Sequence, residues 1–336
     1  MPVHNAEKFL REALESVRAQ TFADWECVCV DDGSTDASGG ILDEFAARDA
    51  RFRVVRQANG GEGSARNAGL DAARGEWIGW LDADDVYAPG RLAEAARLAD
   101  AERPDLVRLA CTMGREPPPD FRTRDFSAPV TVLDDPRAVA EWGWNTLIPV
   151  GMVWQWYARR DVLRGLRFRP EMRVKTDCIF SAMLVPRLRK VVHEGHRSLF
   201  YRQQNASAMH AKRRAQDAVN FQRALLDVWH ASREHAAAVG ALEALRANVR
   251  RASEGDVVDL VCFGVKTTRA DWRAVKERYD AVRTSGAFSS RRQSKKRHLL
   301  SLPLYNLTGI RWPIFAMERG CLLLGGIWRR FCRGEG

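Results

Sequence analysis

The sequence predicts an α/β protein with a mostly parallel sheet, followed by a helical C-terminal extension. Three observations lead to this prediction. Helical and strand-type hydrophobic patterns alternate over about the first hundred residues, carboxylates cluster directly after two of the strands, and the pattern is helical from about residue 211 to 283. Alternation of this kind is typical of parallel strands joined by helices. A chain of 336 residues suits two domains, which we expect at 1–210 and 211–336.

The elements of the first domain follow from local patterns. Residues 5–20 carry apolar side chains on one helical face, and Asn5 is placed to cap that helix. The segment after Pro89 suits a helix because proline is favoured in a first turn. The remaining predicted elements are strand 25–30, a helix from about Ser38, strand 52–57, helix 65–73, strand 77–81 and helix 89–101.

Two acidic clusters follow predicted strands. Asp31 and Asp32 come after the first, and Asp82, Asp84 and Asp85 come after the apolar run that ends at Leu81. Ligands bind beyond the carboxyl ends of strands in such sheets, so we expect these acids at a binding edge. An Asp-x-Asp pair can share Mg²⁺ or Mn²⁺ and a ribose hydroxyl. The alternative is that both clusters are ordinary turns leading into helices, which Asp85 fits well.

Further candidates lie in loops and helix starts. The segment "GGEGSARN" is similar to a phosphate-binding loop in which Arg66 contacts a diphosphate; otherwise Arg66 is a solvated helix residue. Asp177 precedes an apolar helix and is either a general base or a helix N-cap. His210 is a weak candidate for completing a metal site. Four tryptophans either stack on a sugar ring or pack in the core, and core packing is favoured: Trp142, Trp144, Trp154 and Trp156.

Charge and cysteine content restrict the partners. The net charge of +10 favours an anionic partner such as nucleic acid, a membrane surface or a phosphorylated substrate. Seven cysteines without a Cys-x-x-Cys pair indicate a reduced, cytoplasmic protein. The basic run 291–297 and the interrupted apolar tail after it suit an interfacial helix at the inner face of the membrane, or a helical subdomain packed on the core.

Taken in order, three segments resemble the family 2 glycosyltransferases of the GT-A fold. They are "PVHNAEKFLREALESVRAQTFADWECVCVDDGSTDAS", "GEGSARNAGLDAARGEWIGWLDADDVYAPGRL" and "RVKTDCIFSAML", and the similarity covers about residues 2–205. The resemblance implies a Rossmann-like sheet with helices on both faces. It also implies an inverting transfer of sugar from a nucleotide sugar, expected to be a UDP-sugar, to a hydroxyl of a glycan or lipid-linked acceptor in cell-surface polysaccharide synthesis.

The resemblance also implies a role for each site residue. Residues 1–103 would bind the nucleotide sugar, and residues 104–210 would hold the acceptor and the catalytic base. Pro2 and His4 would line the nucleotide base, and Asp31 and Asp32 would recognise it. Arg66 would contact the diphosphate, and Asp82 would face the ribose. Asp84 with Asp82 would hold Mn²⁺ or Mg²⁺, and Asp177 would be the catalytic base.

Three features depart from the family pattern. The chain begins Met1-Pro2 where the family has a strand before this proline, so the first central strand is expected to be absent. Thr176 stands where the family has the glutamate of a Glu-Asp motif, and His4 replaces the more usual tyrosine. Two other interpretations stay open: a truncated relative that has lost catalysis and binds or scaffolds, and a basic nucleic-acid-binding protein. The acidic clusters argue against nucleic acid as a partner.

Overall fold

The computed structural model of the chain describes residues 1–123, 128–150, 152–203, 214–262 and 269–287. The α/β class is confirmed within these ranges. The strands are β1 (Pro2–Val3), β2 (Cys27–Asp32), β3 (Phe52–Gln57), β4 (Trp77–Gly79), β5 (Val86–Tyr87), β6 (Leu106–Gly114), β7 (Val130–Leu133), β8 (Trp156–Arg159) and β9 (Val191–Arg202). The α-helices are α1 (Glu7–Arg18), α2 (Ser38–Arg48), α3 (Glu62–Ala72), α4 (Arg91–Glu102), α5 (Pro136–Val150), α6 (Thr176–Leu184), α7 (Ala215–Ala238), α8 (Leu242–Cys262) and α9 (Arg269–Val282).

The N-terminal sheet is parallel, in the order β1-β2-β3. Its middle strand, "CVCVDD", is almost entirely buried, as expected for a parallel strand that is covered on both faces. β1 comprises only Pro2 and Val3, and the Met1 ammonium donates to the Val28 carbonyl oxygen at 2.9 Å. The parallel sheet of the given chain therefore starts from a two-residue strand.

The second sheet is mixed. Its order is β4-β8-β6-β9-β5, with β7 also paired to β9. Strands β6 and β9 run parallel to each other, whereas the other pairs of this sheet are antiparallel. The chain leaves β4 toward the acidic turn at Asp82, so this strand brings that turn to the edge of the sheet.

The start of α1 differs from its prediction. Asn5 does not cap the helix, because its backbone has φ of +49° and its side-chain oxygen accepts a hydrogen bond from the Thr35 backbone at 2.8 Å. Ala6 is the N-cap residue instead, and its amide donates to Ser38 Oγ at 2.9 Å. Asn5 therefore ties the N-terminal segment to the turn between β2 and α2.

Trp80, two residues before Asp82, belongs to the aromatic core. Trp80 lies edge-on to Trp156, and Phe168 stacks on Phe180 with ring centroids 3.9 Å apart. Helices α7, α8 and α9 confirm a helical C-terminal region as far as it is described. None of the helices in the described ranges is long and apolar enough to cross a membrane. His210, the basic run 291–297 and the tail after it lie outside the described residues.

Candidate active site

The acidic turn after β4 places its carboxylates in different environments. The Asp85 amide donates to the Asp82 carbonyl oxygen at 3.2 Å, which closes the turn. The Asp82 side chain keeps about a fifth of its surface exposed, Asp84 is half-buried, and Asp85 is fully buried. The turn leads into β5 rather than into a helix, so the alternative of a helix-leading turn is wrong.

Arg66 on α3 joins the acidic turn to its neighbours. Its side chain is 3% exposed, and Nη2 lies 2.9 Å from Asp82 Oδ1 and 2.7 Å from Glu62 Oε1. Burial lowers the pKa of the guanidinium, but the surrounding carboxylates, including Asp177, outweigh burial and raise it. Arg66 is therefore a buried permanent cation rather than the solvated helix residue of the alternative prediction.

Asp177 lies one residue into α6 and is half-buried. Burial raises the pKa of its carboxyl to about 7; the charge of Arg66 opposes this rise, and the charges of Glu62 and Asp82 add to it. One carboxylate oxygen accepts a hydrogen bond from the Cys178 amide at 2.9 Å. The N-cap alternative is wrong, because Lys175 is the N-cap residue. Arg66 contacts Asp82 directly, and its guanidinium lies 5.4 Å from the ring centre of Phe168, in the loop that leads to α6. Together with the effect of the Arg66 charge on Asp177, this brings the three side chains into one region.

Glu62 is a member of this site that sequence reasoning missed. It lies in the first turn of α3, four residues before Arg66, so the two side chains meet on one helical face. The attraction of Arg66 lowers the pKa of Glu62, but partial desolvation and the charges of Asp82 and Asp84 outweigh it and raise the pKa, although 44% of the side chain is exposed. The i, i+4 spacing of Glu62 and Arg66 is the sequence signal that could have identified it.

Arg202 is a second residue that sequence reasoning missed. At the end of β9, its Nε donates to the Asp84 carbonyl oxygen at 3.0 Å and its amide donates to Asp85 Oδ1 at 2.9 Å. The guanidinium is 1% exposed and also pairs with Glu12 and Glu116. Burial and the charges of Asp82 and Asp84 raise the pKa of Asp85 well above its usual range. Arg202 therefore holds the acidic turn in place from behind.

The acidic turn suits a divalent cation that is completed by other ligands. Across the described ranges, no group of three or more His, Cys, Asp or Glu side chains is arranged to hold a metal. Mg²⁺ sites, however, often use only one or two carboxylates together with substrate phosphates and water. Asp82 and Asp84 raise the pKa of both Glu62 and Asp85, so negative charge is concentrated at this turn. The residues present fit a cation shared with a phosphate-bearing ligand.

The residues predicted to bind the nucleotide base lie near the loop that precedes α3. Nδ1 of the exposed His4 lies 2.9 Å from the Asp32 carbonyl oxygen, and Asn59 contacts the same ring at 3.1 Å. The Asp32 carboxylate is buried and accepts hydrogen bonds from the Gln57 side chain at 2.7 Å and from the Gly60 and Gly61 amides at 2.8 Å. Asp32 thus organises the loop that begins α3, and its contact with a nucleotide base stays a prediction.

Asp31 and Pro2, which are also predicted to contact the nucleotide base, have partners within the protein. Asp31 is buried, and its Oδ1 accepts a hydrogen bond from the Ser34 amide at 2.9 Å. Pro2 lies in β1, paired in register with Val30. Their roles in binding a nucleotide stay predictions as well.

The tryptophans divide between the core and a half-buried position. Trp144, Trp154 and Trp156 are at most 5% exposed, which confirms core packing for these three. Trp142 is half-buried and stacks on the His193 ring with centroids 5.7 Å apart.

Comparison with known proteins adds to this geometry. The sequence model of the family described as Glycosyl transferase family 2 matches residues 1–166. Two Bacillus subtilis (strain 168) proteins named as glycosyltransferases are similar to this chain: EpsJ is 43% identical to it over 107 residues, and EpsH is 37% identical to it over 161 residues. These matches cover 32% and 45% of this chain, and 31% and 46% of the relatives, so the chain spans less than half the length of either.

A solved structure shares the fold. S. aureus TarS 1-349 in complex with UDP-GlcNAc superimposes with a TM-score of 0.62 at 22% identity, over 84% of this chain and 82% of TarS 1-349.

Proposed function

Residues 1–166 belong to glycosyl transferase family 2, and from this premise we propose that the protein transfers a sugar from a nucleotide diphosphate sugar to an acceptor hydroxyl with inversion of configuration. The observation that supports the proposal most is the ion pair of Arg66 with Asp82, formed beside the loop that leads to Asp177. This region combines a cation for a diphosphate, acids for a ribose and a metal, and a carboxylate with a pKa near neutrality. The proposed donor is a UDP-sugar, since TarS was solved with UDP-GlcNAc.

Donor recognition divides at the start of α3. Near the loop that precedes this helix, Pro2, His4, Asp31 and Asp32 bind the base. On the helix and at the acidic turn, Arg66 and Asp82 receive the diphosphate and the ribose. The Asp32 carboxylate accepts hydrogen bonds from the Gly60 and Gly61 amides, and α3, which carries Arg66, begins at the next residue. Base and diphosphate are therefore bound by groups attached to the same short loop.

Asp177 is the proposed general base. Its carboxylate takes the proton of the acceptor hydroxyl while that oxygen forms a bond to the anomeric carbon and the bond to the nucleoside diphosphate breaks on the opposite face. A positioned base typically contributes a rate factor of about 10² to 10⁴. With a pKa of about 7, Asp177 is a stronger base than an ordinary carboxylate and is still ionised in a large fraction of molecules at neutral pH.

Asp84 and Asp82 are the residues that would hold Mn²⁺ or Mg²⁺. When bound, such a cation supplies positive charge to the departing diphosphate as a Lewis acid. Arg66 supplies a fixed positive charge to the same site from the protein itself.

The acceptor follows from family and charge. We propose a hydroxyl of a glycan or lipid-linked acceptor in cell-surface polysaccharide synthesis. The net charge of +10 would favour work in the cytoplasm at the inner face of an anionic membrane. The proposed division of the chain remains 1–210 for the glycosyltransferase domain and 211–336 for the helical region.

Donor binding and turnover test this function. Thermal shift of the full chain is measured against a panel of UDP-, GDP- and dTDP-sugars with and without Mn²⁺. We expect a UDP-sugar to raise the melting temperature only with the metal, and Asp84→Ala to abolish that metal-dependent shift. Asp177→Asn should keep the shift and lose release of UDP. The matched control is Asp161→Asn, an exposed carboxylate paired with Arg159.

Three results would contradict the proposal. The first is that no nucleotide sugar binds. The second is that Asp84→Ala binds the donor with the metal as the parent does. The third is that Asp177→Asn turns the donor over at the parental rate, which would remove Asp177 from the role of base.

A further inference from the structure

Residues 168–175, which we name the base loop, connect the core to the helix that carries Asp177. On the side of the active site, this loop is fixed by Asn67 of α3. The Asn67 side-chain amide donates to the Phe168 carbonyl oxygen at 2.9 Å, and the Phe168 amide donates back to Asn67 Oδ1 at 2.9 Å. The beginning of the base loop is therefore attached to the same helix as Arg66.

The C-terminal helices hold the other side of the base loop. Arg169 pairs with Asp227 of α7 at 2.8 Å, and the Glu171 carbonyl oxygen accepts a hydrogen bond from Asn220 of the same helix at 2.9 Å. The Asp227 carboxylate is about half exposed, so this ion pair contributes little energy by itself. Both contacts nevertheless show that the loop lies between α3 and α7.

The ion pair at the end of the base loop is more buried than the pair of Arg169 with Asp227. Lys175 Nζ lies 3.1 Å from Asp256 Oδ1 of α8, and the Asp256 carboxylate is 0% exposed. The same ammonium lies 4.9 Å from the centre of the Phe221 ring. The Lys175 side chain is 30% exposed, and Asp256 Oδ2 also lies 3.5 Å from Gln222 Nε2. Losing Lys175 removes the opposite charge of this pair from a fully buried carboxylate, so the pair constrains its two helices more strongly than a surface pair does.

The backbone of Lys175 makes that constraint specific. Its φ is +58°, in the left-handed region that non-glycine residues rarely adopt, and it is the N-cap residue of α6. Residues held in such conformations persist when the surrounding structure determines them. Asp177 follows two residues later, so the direction in which α6 starts sets the position of its carboxylate.

We propose that Lys175 and Asp256 are positioning residues for the transfer reaction. Their ion pair fixes the left-handed turn that starts α6, and that turn holds the Asp177 carboxylate beside Arg66. Helix α8, outside the matched family segment, thereby forms part of the catalytic apparatus. The inference rests on the proposed role of Asp177 as the base.

A double-mutant cycle in the full chain tests this inference. Donor turnover is measured as UDP release, with the nucleotide sugar of the panel that gives the largest thermal shift, for Lys175→Met, Asp256→Asn and the double variant. We expect kcat to fall about 10- to 100-fold in each single variant, since small misplacements of catalytic groups have effects of this size. KM for the donor should stay within about twofold, and the double variant should be no slower than either single variant.

Two further variants separate positioning from folding. Lys175→Arg keeps the charge and should recover most of kcat. Lys190→Met breaks a more exposed ion pair, in which Lys190 Nζ lies 2.9 Å from Glu102 Oε2 at the end of α4, and should leave kcat unchanged. Asp256→Asn is the decisive variant if Lys175→Met fails to fold, because the neutral amide removes the charge and retains the shape. Hydrogen exchange should also speed up in peptides covering 168–178 of Asp256→Asn.

The outcomes are distinct. If Asp256→Asn keeps the parental kcat and exchange while Asp177→Asn has lost transfer, the inference is overturned and the proposed function stands. Additive losses in the cycle, or an equal loss in Lys190→Met, would also overturn it. If Asp177→Asn keeps full transfer, the base assignment and the inference fall together.

Discussion

Replacing Asp177 by asparagine should stabilise the folded protein, and the gain should grow with pH. The pKa of this carboxyl is raised from an ordinary 3.8 to about 7, mainly by burial. A rise of that size corresponds to about 4 kcal/mol as an upper bound. Because the side chain is half-buried rather than fully enclosed, screening by solvent reduces our expectation to about 2 kcal/mol.

The sign follows from proton linkage. At a pH below 3.8 both folded and unfolded chains hold the proton, and the raised pKa has no effect on stability. Between 3.8 and about 7 the unfolded chain loses the proton while the folded chain retains it, so stability falls as pH rises. Above about 7 the loss is complete. The asparagine side chain of the Asp177→Asn variant does not titrate, so the variant escapes this loss.

Urea unfolding of the metal-free full chain measures the effect. Between about pH 5 and about pH 8 the free energy of unfolding of Asp177→Asn should rise by about 1 to 2 kcal/mol relative to the parent. Asp161→Asn is the control: the pKa of Asp161 is lowered, chiefly by the hydrogen bond from Arg159, so this carboxyl is ionised in folded and unfolded chains above about pH 5. The difference in stability between Asp161→Asn and the parent should therefore not change between about pH 5 and about pH 8. Equal pH dependence of Asp177→Asn and the parent would refute the reasoning.

Three further substitutions probe the supports of the site. Asn67→Ala removes both hydrogen bonds to the Phe168 backbone and should lower the free energy of unfolding in urea by about 1 to 3 kcal/mol; an unchanged value would contradict the anchoring role. Arg202→Met removes the hydrogen bond to the Asp84 carbonyl oxygen and the ion pairs with the more exposed Glu12 and Glu116, and should cost about 1 to 3 kcal/mol by the same measurement. A neutral effect would show that the acidic turn holds itself. Gly33→Ala should lower the free energy of unfolding by about 1 to 3 kcal/mol and weaken UDP binding, because φ is +70° and a Cβ would lie 2.9 Å from the Asn59 backbone nitrogen. Melting and UDP titration curves equal to those of the parent would contradict this prediction.

Local patterns predicted those parts of the fold that local forces determine. Strand β3 occupies residues 52–57 as predicted, α2 begins at Ser38, and Asp177 lies at the start of an apolar helix. The acidic turn after β4 was also placed correctly, because a strand end is readable from an apolar run followed by charge. These features depend on residues that are close together in the chain.

The features that were missed depend on partners far along the chain. Asn5 had the right chemistry for a cap, but Thr35 took its side-chain oxygen. Arg202 contacts the acidic turn from a position 118 residues further along the chain than Asp84, and a single arginine at the end of a strand carries no periodic signal. The mixed second sheet was missed for the same reason, since β6 pairs with β9 across a long separation that hydrophobic periodicity does not report.

The charges of the site explain why its supports are so extensive. Asp82 and Glu62 pair with the buried cation Arg66, and Asp84 and Asp85 follow Asp82 in the same turn. The pKa of Glu62, of Asp85 and of Asp177 is raised, in each case partly by the charge of another of these acids. Such an arrangement is unfavourable in the absence of a ligand, because like charges in a partly desolvated site repel. A ligand cation would relieve that repulsion, so binding and stability are coupled through the same carboxylates. The fixed positions of the acids must then come from elsewhere in the chain, which is where Arg202 holds the turn and Lys175 holds the start of α6.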